Sequence, residues 1–481
     1  MTSSRKPEDN AGTPAVSNTT YSVQVPVADE RHALEKIEKI VGDQLNTQSD
    51  SSELYNLSQL LETLTLREVV HLVERLTVHH AAVLFRFLEK NTALKVFETL
   101  EAGHQASLIR ALHEREVIDF FEKMDPDDRA SLMDELPAKI ADKLLRTLDK
   151  TERDLTGVVL GYPPDSIGRY MSPELLPIYD DMTVQSALDY IRQHAHEAET
   201  IYTLPVVDRT RHLVGVISFR ELYTAQLTVP VGEVMGKAIF ALADDNAEST
   251  ARWFLPLDLL AMPIVDKEHR LVGILTVDDA HDIVESADTE DVARSGGHEP
   301  LGQPYLATPL IRLVKSRVVW LMILALSAVL TVHVLDIFEG TLQQAVVLAL
   351  FIPLLTGTGG NTGNQAATTV TRALALGDVQ TKDIAKVLWR ELRVGFGLGL
   401  LLGSGGFVLA ALVYHVPIGA VIGLTLLAVC TMAACVGGIM PIFAKMIGAD
   451  PAVFSNPFIS TFCDATGLII YFLIAKAILG I

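Results

Sequence analysis

Three rhythms of apolar and polar residues follow one another along the chain. Residues 1–30 are rich in Ser, Thr, Pro and Asn and predict a disordered tail. A helical spacing then takes over: Leu57, Leu60, Leu61 and Leu64 mark one apolar face. Short apolar bursts recur at Val69–Val73, Ala81–Phe85 and Ala93–Phe97. Asp125-Pro126-Asp127-Asp128-Arg129 has a cap residue, a Pro at the first helical position and acids in the first turn, which predicts a helix start. Units shorter than ~20 residues predict a superhelical stack of short helices over residues 31–160.

The second rhythm, in residues 161–285, is that of strands, and it repeats. Leu204-Pro205-Val206-Val207-Asp208 precedes Leu213-Val214-Gly215, and Met262-Pro263-Ile264-Val265-Asp266 precedes Leu271-Val272-Gly273. The matching Pro, Asp and Gly positions are each 58 residues apart. Each copy predicts strand, turn, strand and capped helix, with another helix ahead of it. Together with Met171-Ser172-Pro173 and Val234-Met235, the duplication resembles a tandem pair of CBS domains. Residues 286–317 contain an acidic stretch, a Gly pair, prolines and a basic cluster, and predict a linker helix leading to the membrane.

The third rhythm is continuous apolar character. Val318–Val334, Leu342–Leu355, Val394–Val413, Ile418–Met440 and Phe458–Leu479 each approach the ~20 residues that cross a bilayer. The predicted fold is therefore a multidomain membrane protein: an all-α helical-repeat N domain, an α/β tandem CBS pair, a connecting helix and a five-helix transmembrane domain over residues 318–481. The second span continues into Pro353–Gln365, rich in Gly, Thr and Asn. Hydrocarbon tolerates irregular backbone only where protein or water satisfies its polar groups, so this stretch predicts a broken span lining a polar path.

Charge divides the 481 residues sharply. The chain combines 49% hydrophobic residues and a mean hydropathy of +0.30 with a formal charge of −20. Residues 301–481 contribute +3 and the remainder −23. An acidic surface repels nucleic acid and attracts cations. Cys430, Cys435 and Cys463 lie in apolar segments and form neither a disulfide nor a zinc pattern. The first 22 residues lack the apolar core of a signal peptide. Nine Lys and Arg residues flank the spans on the side of the N-terminal domains, which predicts those domains in the cytoplasm and the C-terminus outside, in the cell (inner) membrane.

The candidate chemistry is acidic. Asp464 lies within the last span, where a charge costs at least ~2.5–3.5 kcal/mol on insertion scales, so it marks a transport path, a proton relay or an interhelical hydrogen bond. Gly357–Gln365 lacks the Lys of a phosphate loop and follows a membrane helix, not a strand. Helix packing through small residues accounts for its glycines but not for Asn361, Asn364 and Gln365. Asp278, Asp282 and Glu285 stack at helical spacing, either as a solvated face or, with Asp125, Asp127 and Asp128, as a metal-bridged interface. His79-His80 and His194-Ala195-His196 lack companion ligands and read as surface residues.

Together these motifs resemble the MgtE family of magnesium transporters. They are Gly357-Thr358-Gly359-Gly360-Asn361-Thr362-Gly363-Asn364-Gln365, Asp450-Pro451-Ala452, Ser455-Asn456-Pro457 and Asp464-Ala465-Thr466-Gly467-Leu468. The resemblance implies a homodimeric, Mg2+-gated channel in the lipid bilayer. Asp464 would be the selectivity acid, and Asn364 and Thr368 would line its site. It also implies regulatory Mg2+ held by Asp125, Asp128, Asp258, Asp279, Asp282, Glu290, Asp291 and Asp450, and ATP at the CBS pair, though no residue pattern assigns that nucleotide. One departure is Ala287, where the family commonly has an acid, with Asp288 beside it. Rival readings are transport of Co2+, Mn2+ or Zn2+, and an intramembrane aspartyl hydrolase; the latter needs two carboxylates meeting in the membrane.

Overall fold

A computed structural model describes Leu61, residues 64–448 and residues 456–481. The predicted tail, the helix start over residues 31–60 and Asp450 lie outside the described residues. Two compact units divide the chain at Val96.

Within the first unit, α1 (Leu66–Arg75) opens on a capping box in which Thr65 and Glu68 exchange hydrogen bonds, and it buries Val69, Leu72 and Val73. α2 (Val78–Phe85) buries Ala81, Ala82 and Leu84. α3 (Lys90–Thr99) spans the boundary.

Short helices continue in the second unit as α4 (Ala102–Ile109), α5 (Glu114–Phe121), α6 (Pro126–Glu135), α7 (Ala138–Leu145) and α8 (Lys150–Leu160). Helices of 8–11 residues are marginal alone, so each is held by the stripe it buries. α6 packs on both α4 and α8, as in a stack in which alternate helices meet.

The strand repeat folds as the duplication predicts. β1 (Ile178–Tyr179) runs parallel to β2 (Thr203–Val207), which pairs antiparallel with β3 (Leu213–Ser218). α9 (Val184–His194) precedes the pair; α10 (Phe219–Thr224) follows it, and α11 (Val231–Val234) leads to the second copy. That copy has β4 (Ala241–Leu242), α12 (Ala247–Phe254), β5 (Ala261–Val265) and β6 (Leu271–Thr276) in the same order. Val206 faces Gly215, and Ile264 faces Gly273. The copies also exchange their leading segments: Ser172 bridges to Ile274 and Val216 to Gly236. Met171 and Met235 thereby occupy the space that a side chain at Gly273 or Gly215 would fill.

Helix α13 (Val277–Ser295), capped by Thr276, is where the expected linker helix must be corrected. It stops at Gly296-Gly297, where Gly297 adopts φ +70°. A non-helical strap, residues 298–309, follows. Its Glu299 N–H donates to the Ser316 carbonyl at 3.0 Å and its carboxylate accepts from Trp320 at 3.1 Å. The Gly302 carbonyl lies where a side chain at Gly103 would stand, and Gln303 is within 3.2 Å of Ser107. The strap thus touches both α4 and the first membrane helix.

Five helices among the described residues are long and apolar enough to cross a membrane. They are α14 (Leu310–Ile337); α16 (Ile352–Ala375) with the turn before it; α17 (Ile384–Val413); α18 (Val416–Met446); and α19 (Asn456–Leu479). The short α15 (Glu339–Gln344) lies between the first two. α16 packs on α18 and α19, and α14 packs on α19.

A second correction concerns Pro353–Gln365, expected to break its span. It is continuous helix. The interruption lies earlier, at Ala345 (φ −136°, ψ 75°) and the 3-10 segment Val346–Phe351. Threonine hydroxyls satisfy the polar stretch from within: Thr358 donates to the Leu354 carbonyl at 2.6 Å and Thr362 to the Thr358 carbonyl at 2.8 Å. The glycines serve close packing instead. A side chain at Gly437 of α18 would collide with the Gly363 carbonyl, and one at Gly363 would meet Ile459.

Candidate functional site

Two groups of oxygen-bearing side chains stand apart from the apolar packing. The first lies between α16 and α19. Asn364 Nδ2 donates to Ser460 Oγ at 2.9 Å, and Asn364 Oδ1 is buried with no hydrogen-bond partner among the described residues. Asp464 lies one turn beyond Ser460 on the same face of α19 and is half-buried. Asn361, Gln365 and Thr368, at i, i+4 and i+7 on α16, form an exposed stripe. Cys463 points elsewhere: it is fully buried with Ala367, Ala433 and Ile459.

The second group forms where α6 meets the strand repeat. Asp125 occupies the N-cap position of α6 without a side-chain capping bond, Pro126 takes the first helical position, and Asp127 and Asp128 complete the first turn, as the sequence predicts. The α6 dipole favours acids there. Glu174 and Glu199 come from loops of the first repeat, drawn together by Glu199 N–H donating to the Glu174 carbonyl at 3.0 Å. Carboxylate oxygens of Asp125, Glu174 and Glu199 all lie within 4.8 Å of one another. Asp279 and Asp282 approach on α13, with Asp279 accepting from the Thr276 hydroxyl. An Arg169–Asp134 ion pair at 2.6 and 3.1 Å joins α6 to the repeat beside the group.

Burial, and after it the acids' repulsion of one another, raises their proton affinity. Burial, then Asp125 and Asp279, push Asp128 up to about 7. Burial, then Asp125, pushes Glu199 up to about 7 against a hydrogen bond from Ser172. Asp279 rises to about 6, chiefly through burial. Asp127, 8% exposed, is held well above the carboxylate range by burial and by Asp279 and Asp128, and its Oδ1 has no partner among the described residues. Burial is also the first cause of the upward shifts of Asp125, Glu174 and Asp282. Arg129, which opposes the shift at Asp125, is itself engaged by Glu152 at 2.7 Å.

Other residues singled out from the sequence stand outside this group. Asp258 is exposed in the left-handed region at φ +55°. Glu290 pairs with Arg294. Asp291 lies on α13 one turn from Asp288, which is bound to Arg252 at 2.6 Å next to the departure at Ala287. Asp450 is outside the described residues. Glu174 and Glu199, by contrast, are members that sequence reasoning missed. No spacing announces them, because two loops bring them together; the only trace is Glu174 following Met171-Ser172-Pro173.

Comparison with known proteins places these features in a family. Residues 352–474 match the family model described as "Divalent cation transporter", residues 64–165 match the MgtE intracellular N domain, and residues 167–228 match a CBS domain. The chain is 38% identical over 341 residues to the magnesium transporter MgtE of Thermus thermophilus, covering 70% of this chain and 75% of that protein. It is 32% identical over 320 residues to the MgtE of Enterococcus faecalis, covering 66% and 70%. Among solved structures, the cytosolic domain of the Mg2+ channel MgtE in complex with ATP is similar, with a TM-score of 0.46, 30% identity, and coverage of 51% of this chain and 99% of that one.

Proposed function

This chain belongs to the MgtE family of divalent cation transporters, and from that premise we propose that it carries Mg2+ into the cell past Asp464 and is closed by Mg2+ at its cytoplasmic acids. The observation that carries the reading is the chemistry around Asp464. One half-buried carboxylate stands beside Asn364 and Ser460, which offer neutral oxygen and nitrogen only. Mg2+ dehydrates reluctantly and is recognised through its water. One charge attracts it, and the neutral groups address its hydration shell without stripping it. The burial of Cys463 away from this face favours a hard ion over Zn2+ or Co2+, for which sulfur would be the better ligand.

The exposed stripe of Asn361, Gln365 and Thr368 supports a homodimer. Hydrocarbon disfavours such a face, so a second subunit or a water-filled path must cover it. The positive-inside bias supports cytoplasmic N-terminal domains.

The acid group fits a regulatory cation. Crowded, proton-retaining carboxylates with an unpartnered buried oxygen lack positive charge, which a hard divalent ion supplies. Asp125, Asp127, Asp128, Glu174, Glu199, Asp279 and Asp282 are the residues that would hold it. Without cations, repulsion drives α6 away from the repeat; with them, the two stay together. The strap, bound to α4 and to α14, carries that difference to the first span. A ligand moves such an equilibrium only by preferring one state, and a site formed from both sides exists only when they are joined.

The test is Mg2+ uptake by the full-length protein in proteoliposomes, comparing wild type with Asp464→Asn. Uptake by the variant is expected to fall to the background of empty vesicles while the protein still assembles. Uptake near the wild-type rate would refute the path.

A further inference from the structure

Ser460, Asp464, Gly467 and Tyr471 follow one another at i, i+4, i+7 and i+11, forming one stripe of α19. Tyr471 is fully buried, with its ring 5.3 Å from that of Phe472, and its hydroxyl donates to the Leu348 carbonyl at 2.9 Å. Leu348 is also fully buried and belongs to the 3-10 segment where the second span leaves α-helical geometry. Backbone carbonyls in such a break lack the regular helical partner and need another donor. At the other end of the polar stretch, Asn364 is tied to Ser460. The second span is therefore bonded to α19 at two places, one four residues before Asp464 and the other seven residues after it.

We propose that Tyr471 is a positioning residue for the ion path: by anchoring the Leu348 carbonyl it sets where the polar stripe of α16 stands relative to Asp464, and so which hydrated ion the path accepts. This rests on the reading of Asp464 as the path's acid. A short carboxylate and a row of amides and hydroxyls discriminate between hydrated ions by their spacing. Mg2+ presents a tightly held octahedral shell, whereas Ca2+ takes a variable number of ligands at longer distances. A span free to slide along α19 loses that distinction. The ring of Tyr471 packs in the core, but its hydroxyl has this separate task.

Tyr471→Phe removes the hydroxyl and keeps the ring. The experiment reconstitutes full-length wild type, Tyr471→Phe, Ser460→Ala and Asp464→Asn in proteoliposomes, and measures Mg2+ and Ca2+ uptake and melting temperature for each. Tyr471→Phe is expected to lower the ratio of Mg2+ to Ca2+ uptake roughly fivefold, the scale of one buried carbonyl losing its donor. Ser460→Ala, at the other anchor, is expected to move the ratio the same way. A merely structural Tyr471 would lower melting temperature and total flux and leave the ratio unchanged, and that result would overturn the proposal. Should Tyr471→Phe fail to assemble, an unchanged ratio in Ser460→Ala overturns the two-anchor account by itself. Asp464→Asn separates the layers: normal uptake there removes the path reading, whereas lost uptake with a wild-type ratio in Tyr471→Phe removes the anchor alone.

Discussion

At the junction of α6 with the strand repeat, three carboxylates from three separate segments bring their oxygens within 4.8 Å, with further acids behind them. Between α16 and α19 a single carboxylate stands among an amide, a hydroxyl and glycine. On the proposed reading both places receive a cation, yet the number of carboxylates differs several-fold. A dense group with little compensating positive charge gains much from a bound ion, which is the condition the proposed sensor needs. A lone acid beside neutral dipoles gains little from stripping the ion of water, which is the condition the proposed path needs. Retention calls for crowding; passage calls for restraint.

The two places are also held together differently, and the largest predicted effect separates them. The membrane domain depends on backbone-to-backbone packing, with Gly437 against the Gly363 carbonyl. Gly437→Val forces a side chain into that contact, at about 3 kcal/mol or more. The variant is expected to yield little folded membrane domain, seen as lost or broadened thermal unfolding in detergent. A variant that melts like wild type and still transports would show that α16 and α18 need no such approach.

The junction rests on electrostatics, so neutralising one acid there should help the protein when Mg2+ is absent. Glu199→Gln removes one of three converging carboxylates. In a thermal-shift titration of the full-length protein, the cation-free variant is expected to melt higher than wild type. Its half-saturating Mg2+ concentration should rise about tenfold, equivalent to ~1.4 kcal/mol. Asp189→Asn, at an exposed site paired with Arg192, serves as the control and should leave both values unchanged. Equal shifts in the two variants would mean that general surface charge, not this group, responds to Mg2+.

The same contrast explains what could be read from the sequence. Asp464 stands out in the sequence as one acid in an apolar run, and the start of α6 as a Pro and acids after a cap residue. The duplicated strands announced themselves through identical spacing. Glu174 and Glu199 had no such signal, since a loop-to-loop hydrogen bond creates their proximity. The sequence predicts a linker helix running to residue 317, but the Gly pair that ends α13 and Pro300, Pro304 and Pro309 after it interrupt that helix. Composition predicts the break in the second span within the glycine-rich stretch. There, threonine back-bonds and tight packing keep the helix intact, and the interruption falls in an apolar segment with no punctuating residue.

The smallest predicted effect tests whether proton and metal compete at the junction. Asp128 and Glu199 rise to about 7 and Asp279 to about 6, whereas the same groups in the unfolded chain titrate near pH 4. Between those values the folded state binds more protons than the unfolded one, so without Mg2+ stability falls as pH rises from about 4 to 7. An acid whose folded pKa is raised stabilises the fold only while it keeps its proton. Mg2+ requires the ionised oxygens, so its stabilising effect must grow over the range in which protons leave, from about pH 6 to pH 8. Melting temperatures of the full-length protein should therefore diverge between Mg2+-free and Mg2+-loaded samples as pH increases, by about 2–4 °C across that range. In Glu199→Gln the divergence should shrink. Asp464→Asn should leave it intact, because the path is a different place with a different charge. Parallel pH curves with and without Mg2+ would mean that the junction's acids keep or lose their protons without regard to the ion, and the sensor would have to lie elsewhere.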